Sequence, residues 1–225
     1  FYDELQQPQQ ALEDIEQLLK ATDMPETLAR ELQFKKAELY AQQHLYKQAV
    51  SALNQLIQTT QADPDTPENW KHQLFNWQRY SDPAANIKAL EVALKASPQD
   101  KTLHYLRMDS LLENGDFEQA RTRLIEAREA APEDPVLWCL QSRYQWHQKQ
   151  WDAAKISLQE AQRSPATAGS SLCIAREKLR QLSQPDTLSQ AINYWQQHPQ
   201  WQQDLYPAFM HQDFKILRKS LESLS

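Results

Sequence analysis

The side chains that could do chemistry are thinly spread along this sequence. The six histidines are His44, His72, His104, His147, His198 and His211, and no two of them lie three or four residues apart. No helix can therefore present two imidazoles to one metal ion. Cys139 and Cys173 stand 34 residues apart, which is neither a zinc-ligand spacing nor a disulfide framework. Serines are numerous, yet no G-x-S-x-G elbow occurs. Asp63, Asp65 and Glu68 offer the acids of a calcium loop, but its central Gly and distal bidentate Glu are missing. A solvated turn before a helix N-terminus, where acids are favoured, accounts for them. Adjacent acids such as Glu13-Asp14 fit an ordinary helix surface. These residues predict no enzyme activity, no metal and no cofactor. The chemistry left to the chain is recognition.

What must position any recognition residues is a repeat. Trp70, His104 and Trp138 form a column at a spacing of 34, as do Leu90, Leu124 and Leu158, and Ala93, Ala127 and Ala161. Asn86, Ala120 and Ala154 form a fourth column with one departure. Pro98 and Pro132 close two units, and Pro165 closes the third one residue early. A fixed period of this length marks a repeat architecture. Within 101–134, Leu103, Leu106, Leu111 and Leu112 recur at helical spacing up to Asn114-Gly115. Phe117, Ala120, Leu124 and Ala127 then do so up to Pro132. Gly tolerates the left-handed backbone that ends many helices. Each unit is thus two short helices and a tight turn. Ala120 and Ala127 let the helices approach closely, and Leu124 fills the space between units. One pair cannot bury its apolar face alone, whereas stacked pairs can. His104 replaces Trp in its column, so packing is its expected role.

This pattern resembles the tetratricopeptide repeat (TPR), in its bacterial form. Trp70, Trp77, Leu90, Ala93 and Pro98 match the motif. So do Ala120, Leu124, Ala127 and Pro132, and Trp138, Ser142, Ala154, Leu158 and Ala161. Leu74 and Met108 stand where the family prefers a small residue, and Gln145 where it prefers an aromatic. The resemblance implies an all-α fold: a right-handed α-solenoid of antiparallel helix pairs with a C-terminal capping helix. The expected organisation is a partial repeat at 1–24, repeats at 25–66, 67–100, 101–134 and 135–167, and a degenerate repeat with cap at 168–225. The segments 9–21, 25–43 and 46–60 read as helices, as do 171–182, 187–197 and 213–224, the last capped by Asp213. Residues 1–7 look like the end of a helix whose unit is mostly missing, so the array is expected to continue upstream. The stretch 198–221 is similar to the tails of bacterial TPR-bearing regulatory proteins.

Composition narrows the partners. Only two glycines occur, too few for phosphate-binding or dinucleotide-binding loops. A net charge of −6 opposes a nucleic-acid surface, which is normally basic. A mean hydropathy of −0.79 and the lack of a long apolar run oppose a membrane span. Stacked helix axes lie roughly 8–10 Å apart, while a disulfide needs Cα atoms within about 7 Å. Cys139 and Cys173 are therefore expected as free thiols, which suits the cytoplasm and leaves a periplasm open.

In the TPR family the first helices line a concave groove. Carried onto this sequence, the groove positions are Glu31, Phe34, Glu38 and Gln42, then Lys71, Phe75 and Arg79. Tyr105, Asp109 and Glu113 follow, then Cys139, Arg143, Trp146 and His147. One aromatic per unit with charged neighbours is the composition of interaction hot spots. The competing expectation is that these rings pack between adjacent first helices. Phe75 stands where the carboxylate-clamp members of the family carry Asn, which opposes chaperone C-terminus binding. The resemblance thus implies a non-enzymatic scaffold holding a peptide or partner-protein segment. Two alternatives stand beside it: a sensor or effector domain of a larger bacterial regulator or enzyme, and a module that self-associates through exposed solenoid ends.

Overall fold

A computed structural model describes residues 8–20, 23–60, 68–167, 170–199 and 214–222. The expectations for 1–7, the acidic turn at Asp63 and Asp65, most of the 198–221 stretch and the Asp213 cap lie outside the described residues. Among the described residues there are twelve α-helices and no strand, an all-α architecture. They fall into two compact units, residues 1–98 and 99–225.

The first unit contains α1 (Pro8–Leu18), α2 (Glu26–Gln42), α3 (Tyr46–Thr60), α4 (Glu68–Ser81) and α5 (Pro83–Ala96). Each helix packs on the next. The core is built from small and large residues in alternation: Ala37, Ala41 and Ala49 lie beside Tyr46, Leu53, Leu56, Trp70 and Trp77. Small residues on one helix admit the bulky ones of its neighbour, which is how a close-packed interior avoids voids. Asp82 caps α5 by accepting from the Ala85 N–H at 2.9 Å, and Pro83 occupies its first position, where the missing N–H costs nothing.

The second unit contains α6 (Lys101–Asn114), α7 (Phe117–Ala130), α8 (Pro135–His147) and α9 (Trp151–Arg163). It continues through α10 (Ser170–Leu182), a 3₁₀ turn at Pro185–Thr187, α11 (Leu188–Gln197) and α12 (Lys215–Glu222). Asp100 and Asp134 cap α6 and α8 by accepting from the Leu103 and Val136 N–H groups. Beyond α9 the apolar set becomes Ala175, Leu179, Ala191, Trp195, Phe214 and Leu217, which joins α12 to α10 and α11.

One turn recurs between paired helices. Gly115 takes φ +81°, its N–H reaching Leu112 O while that of Asp116 reaches Leu111 O. Lys149 and His44, each at φ +60°, repeat it: their N–H groups reach Trp146 O and Ala41 O, and those of Gln150 and Leu45 reach Gln145 O and Tyr40 O. This is the Schellman ending, which satisfies carbonyls that a helix otherwise leaves bare.

The repeat columns carry the core. Leu90, Leu124, Leu158, Ala120, Ala154 and Asn86 are all buried. Asn86, the departure in its column, donates from Nδ2 to the Phe75 carbonyl at 2.9 Å. The Trp70 column is less uniform. Trp70 is buried and Trp138 half-buried, but His104, expected to pack, is exposed. A polar imidazole gains less from burial than the indole it replaces. Where the family prefers a small residue, Ser142 sits buried and donates to the Ala154 carbonyl at 2.8 Å, closing α8 onto α9. Met108 holds that position in α6, and a cleft of about 310 Å³ lies beside it, lined also by Tyr105, Ala127 and Ala130. No helix among the described residues is long and apolar enough to cross a membrane.

Candidate functional site

The first helices of successive pairs are α2 and α4 in one unit and α6, α8 and α10 in the other. From α4 onward their facing positions repeat every 34 residues, and the two units use theirs differently.

In the first unit the face keeps accessible chemistry. Lys71 is exposed, and Phe34, Glu38 and Phe75 are half-buried. Phe34 stacks on Trp70 with ring centroids 5.4 Å apart and planes 12° from parallel. This is the ring-on-ring packing between adjacent first helices that competes with a ligand role. Arg79 is buried, donating to the Tyr80 hydroxyl at 2.6 Å with its guanidinium over the same ring. Glu38 accepts from Lys35 at 3.0 Å on the surface.

In the second unit the equivalent positions turn inward. Asp109, Arg143 and Trp146 are buried, and Arg143 is only 2% exposed. These residues were expected to line an open groove. Burial removes them from it, because each finds a partner on a neighbouring helix. Arg143 donates to Asp109 Oδ1 at 2.5 Å and also to Glu113. Arg176 reaches Asp109 at 3.2 Å and Glu177 at 3.1 Å, and Arg180 reaches Glu177 at 3.0 Å. Three guanidiniums thus face three carboxylates across α6, α8 and α10. Such an interior tolerates charge only because the charges balance and are hydrogen-bonded.

The remaining expected site residues are also engaged. The Tyr105 hydroxyl donates to Asp134, the carboxylate that caps α8, and burial together with that neighbour pushes its pKa up. Trp146 meets Trp151 edge-on at 4.5 Å. His147 lies against Phe117 at 5.5 Å. Burial and the guanidiniums of Arg180 and Arg143 bring its pKa down to about 4. For Glu177, burial raises the pKa, but the guanidiniums of Arg180, Arg176 and Arg143 outweigh it and hold the carboxyl below its ordinary range.

Arg176, Glu177 and Arg180 did not emerge as site residues from sequence. A trace of them was present: Asp109, Arg143 and Glu177 are spaced 34 and 34 apart with alternating sign. Among the described residues no group of three or more His, Cys, Asp or Glu side chains could hold a metal ion.

Comparison with known families bears on the repeats themselves. Tetratricopeptide repeat profiles match residues 2–67 and residues 81–144. The chain belongs to the tetratricopeptide repeat family. Repeats of this family generally mediate protein–protein interaction, and their domains are typically non-enzymatic scaffolds. No curated protein matches the chain.

Proposed function

We propose that the chain is a non-enzymatic scaffold that holds a segment of a partner protein against the first-helix face of α2 and α4. Phe34, Glu38, Lys71 and Phe75 are the contact positions; Arg79, buried against Tyr80, is not one of them. The observation that carries this reading is the contrast between the units. The second unit ties the charges of its first helices to one another inside the protein, while the first leaves Lys71 exposed on the same helix as the half-buried Phe75. A ring and a cation on one helix suit a segment that brings an apolar side chain and a carboxylate together. Asp109, Arg143 and Trp146 serve this scaffold as interior, and the half-buried Tyr105 and His147 pack at its margin.

A photo-crosslinking residue placed at Phe75, and separately at the exposed Val92 of α5, tests the reading in source-cell extract. A partner crosslinked at 75, not at 92, and lost on Lys71→Glu in a chain of unchanged melting temperature is the expected result. Equal crosslinking at both positions, or crosslinking at 92 alone, moves the contact off this face and overturns it.

A further inference from the structure

The cleft beside Met108 has no part in the partner contact assigned to α2 and α4. It holds about 310 Å³ and is lined from α6, α7 and the start of α8. Its apolar lining includes Met108 and Leu137, both buried, and the half-buried Ala127. An apolar hollow of this size with a few polar groups around it is the form of a small-molecule site. Its origin lies in the repeat. His104 stands in the column that carries Trp70 and Trp138, and it is exposed. Ala161, the counterpart of Ala127 one repeat on, is fully buried. A polar ring in the indole column, facing the small side chains of Ala127, Ala130 and Ala131, leaves the space unfilled.

The charges around the cleft belong to this repeat alone. Lys101, Arg107 and Arg123 line it, and Glu126 is the one carboxylate in the lining. Arg123 and Glu126 pair at 2.9 Å, and both are exposed. Tyr105 lines the cleft too, but its hydroxyl is committed to Asp134. At the positions equivalent to the three cations, the preceding repeat has Pro67, Gln73 and Ala89, and the following one has Pro135, Gln141 and Ser157. Both neighbouring repeats form their helix pairs with no cation at any of these places, so the packing of a repeat does not demand them. A local excess of cations in a chain of net charge −6 is an attractive field for an anion.

We propose that this cleft binds a small amphiphilic carboxylic acid, one carboxylate on a short hydrocarbon chain. The chain lies against Met108, Leu137 and Ala127, where its removal from water supplies affinity. The carboxylate is held by the lining cations, of which Arg123 is shared with Glu126 and Lys101 is exposed. An uncharged chain of the same length gains the apolar contact only.

Octanoate is the probe, with 1-octanol as its uncharged counterpart. The full chain is titrated with each at low ionic strength by saturation-transfer NMR, and the octanoate complex is searched for Overhauser contacts to the Met108 methyl. Octanoate should bind saturably, contact Met108 and lose affinity as salt is added, and 1-octanol should bind more weakly. Lys101→Glu reverses one exposed charge and should weaken octanoate about tenfold while leaving 1-octanol unchanged. Ala130→Trp fills the cleft from an exposed position and should abolish binding of both probes. Both variants should melt as the parent does. The proposal is overturned by any of four outcomes: no saturable octanoate binding at millimolar concentration, equal affinity for the two probes, saturable binding without contact to Met108, or octanoate affinity unchanged in a folded Lys101→Glu chain. The titrations and contacts of the parent decide the matter even if Ala130→Trp fails to fold.

Discussion

At the scale of single residues, Arg143 is the group on which the second unit most depends. Its two ends satisfy Asp109 and Glu113 where water has little access. Removing one member of a buried pair strands the others, at roughly 3–5 kcal/mol. An exposed pair such as Arg30–Glu26 is worth under about 1 kcal/mol. Arg143→Met should therefore lower the urea midpoint sharply, and Arg30→Met should barely move it. Similar midpoints for the two variants would show that the network contributes little. Acid acts on the same cluster. His147 has a folded pKa of about 4 against an ordinary 6.5. Between those values the unfolded chain binds a proton that the folded chain does not, so stability falls as pH drops from 6.5 to 4. Glu177 adds to the loss at lower pH: its folded pKa lies below 4.5, so its contribution is full above 4.5 and disappears as pH falls through the folded value. Melting followed by circular dichroism should show a falling midpoint on acidification. His147→Gln should flatten the slope between pH 6.5 and 5, and coincident slopes for parent and variant in that window would exclude His147 as the cause.

At the scale of elements, the turns offer a controlled comparison. Gly115 and Lys149 occupy the same left-handed position one repeat apart, at φ +81° and +60°. A Cβ added at Gly115 would meet nothing within 4 Å, so Gly115→Ala should cost only the backbone term, about 1 kcal/mol. Lys149 is exposed, and Lys149→Gly should return a similar amount. Chemical denaturation of both variants checks the pair, and a stabilising Gly115→Ala would contradict the turn geometry. These two positions also show what the sequence could convey. Asn114-Gly115 announces its turn, whereas Lys149 carries no local mark and is placed only by the 34-residue period. Helices and core columns were legible because Leu90, Leu124 and Leu158 repeat one size and shape that only one packing satisfies. The charged face was not. A charge on a first helix reads as solvent-facing until its opposite is found one repeat away. The Asp109, Arg143 and Glu177 series keeps its spacing of 34 past Pro165, but its last member falls in the segment expected to be a degenerate repeat, outside the regular units. His104 misled for a related reason: a column fixes where a side chain starts, while the side chain's own polarity decides whether it stays inside.

At the scale of the whole molecule, the chain combines two interiors of different character under one repeat. Residues 1–98 close around aromatic and small apolar side chains, with Trp70, Trp77 and Tyr46 against Ala37, Ala41 and Ala49. Residues 99–225 hold an apolar set on α10, α11 and α12 and, across α6, α8 and α10, the buried ion network. Repeat proteins derive their stability from intrinsic terms and nearest-neighbour terms, so each unit should carry its own response to conditions. Made separately, 1–98 and 99–225 should each show a helical spectrum and a cooperative urea transition. The acid response should travel with the charges: between pH 7 and 4 the 99–225 fragment should lose far more of its midpoint than the 1–98 fragment. The 1–98 fragment holds the Lys36–Glu16 pair at its surface, and such pairs contribute little. Equal acid losses in the two fragments would mean that the ion network is not the source of the pH dependence. A fragment without a cooperative transition would mean that the two interiors depend on each other.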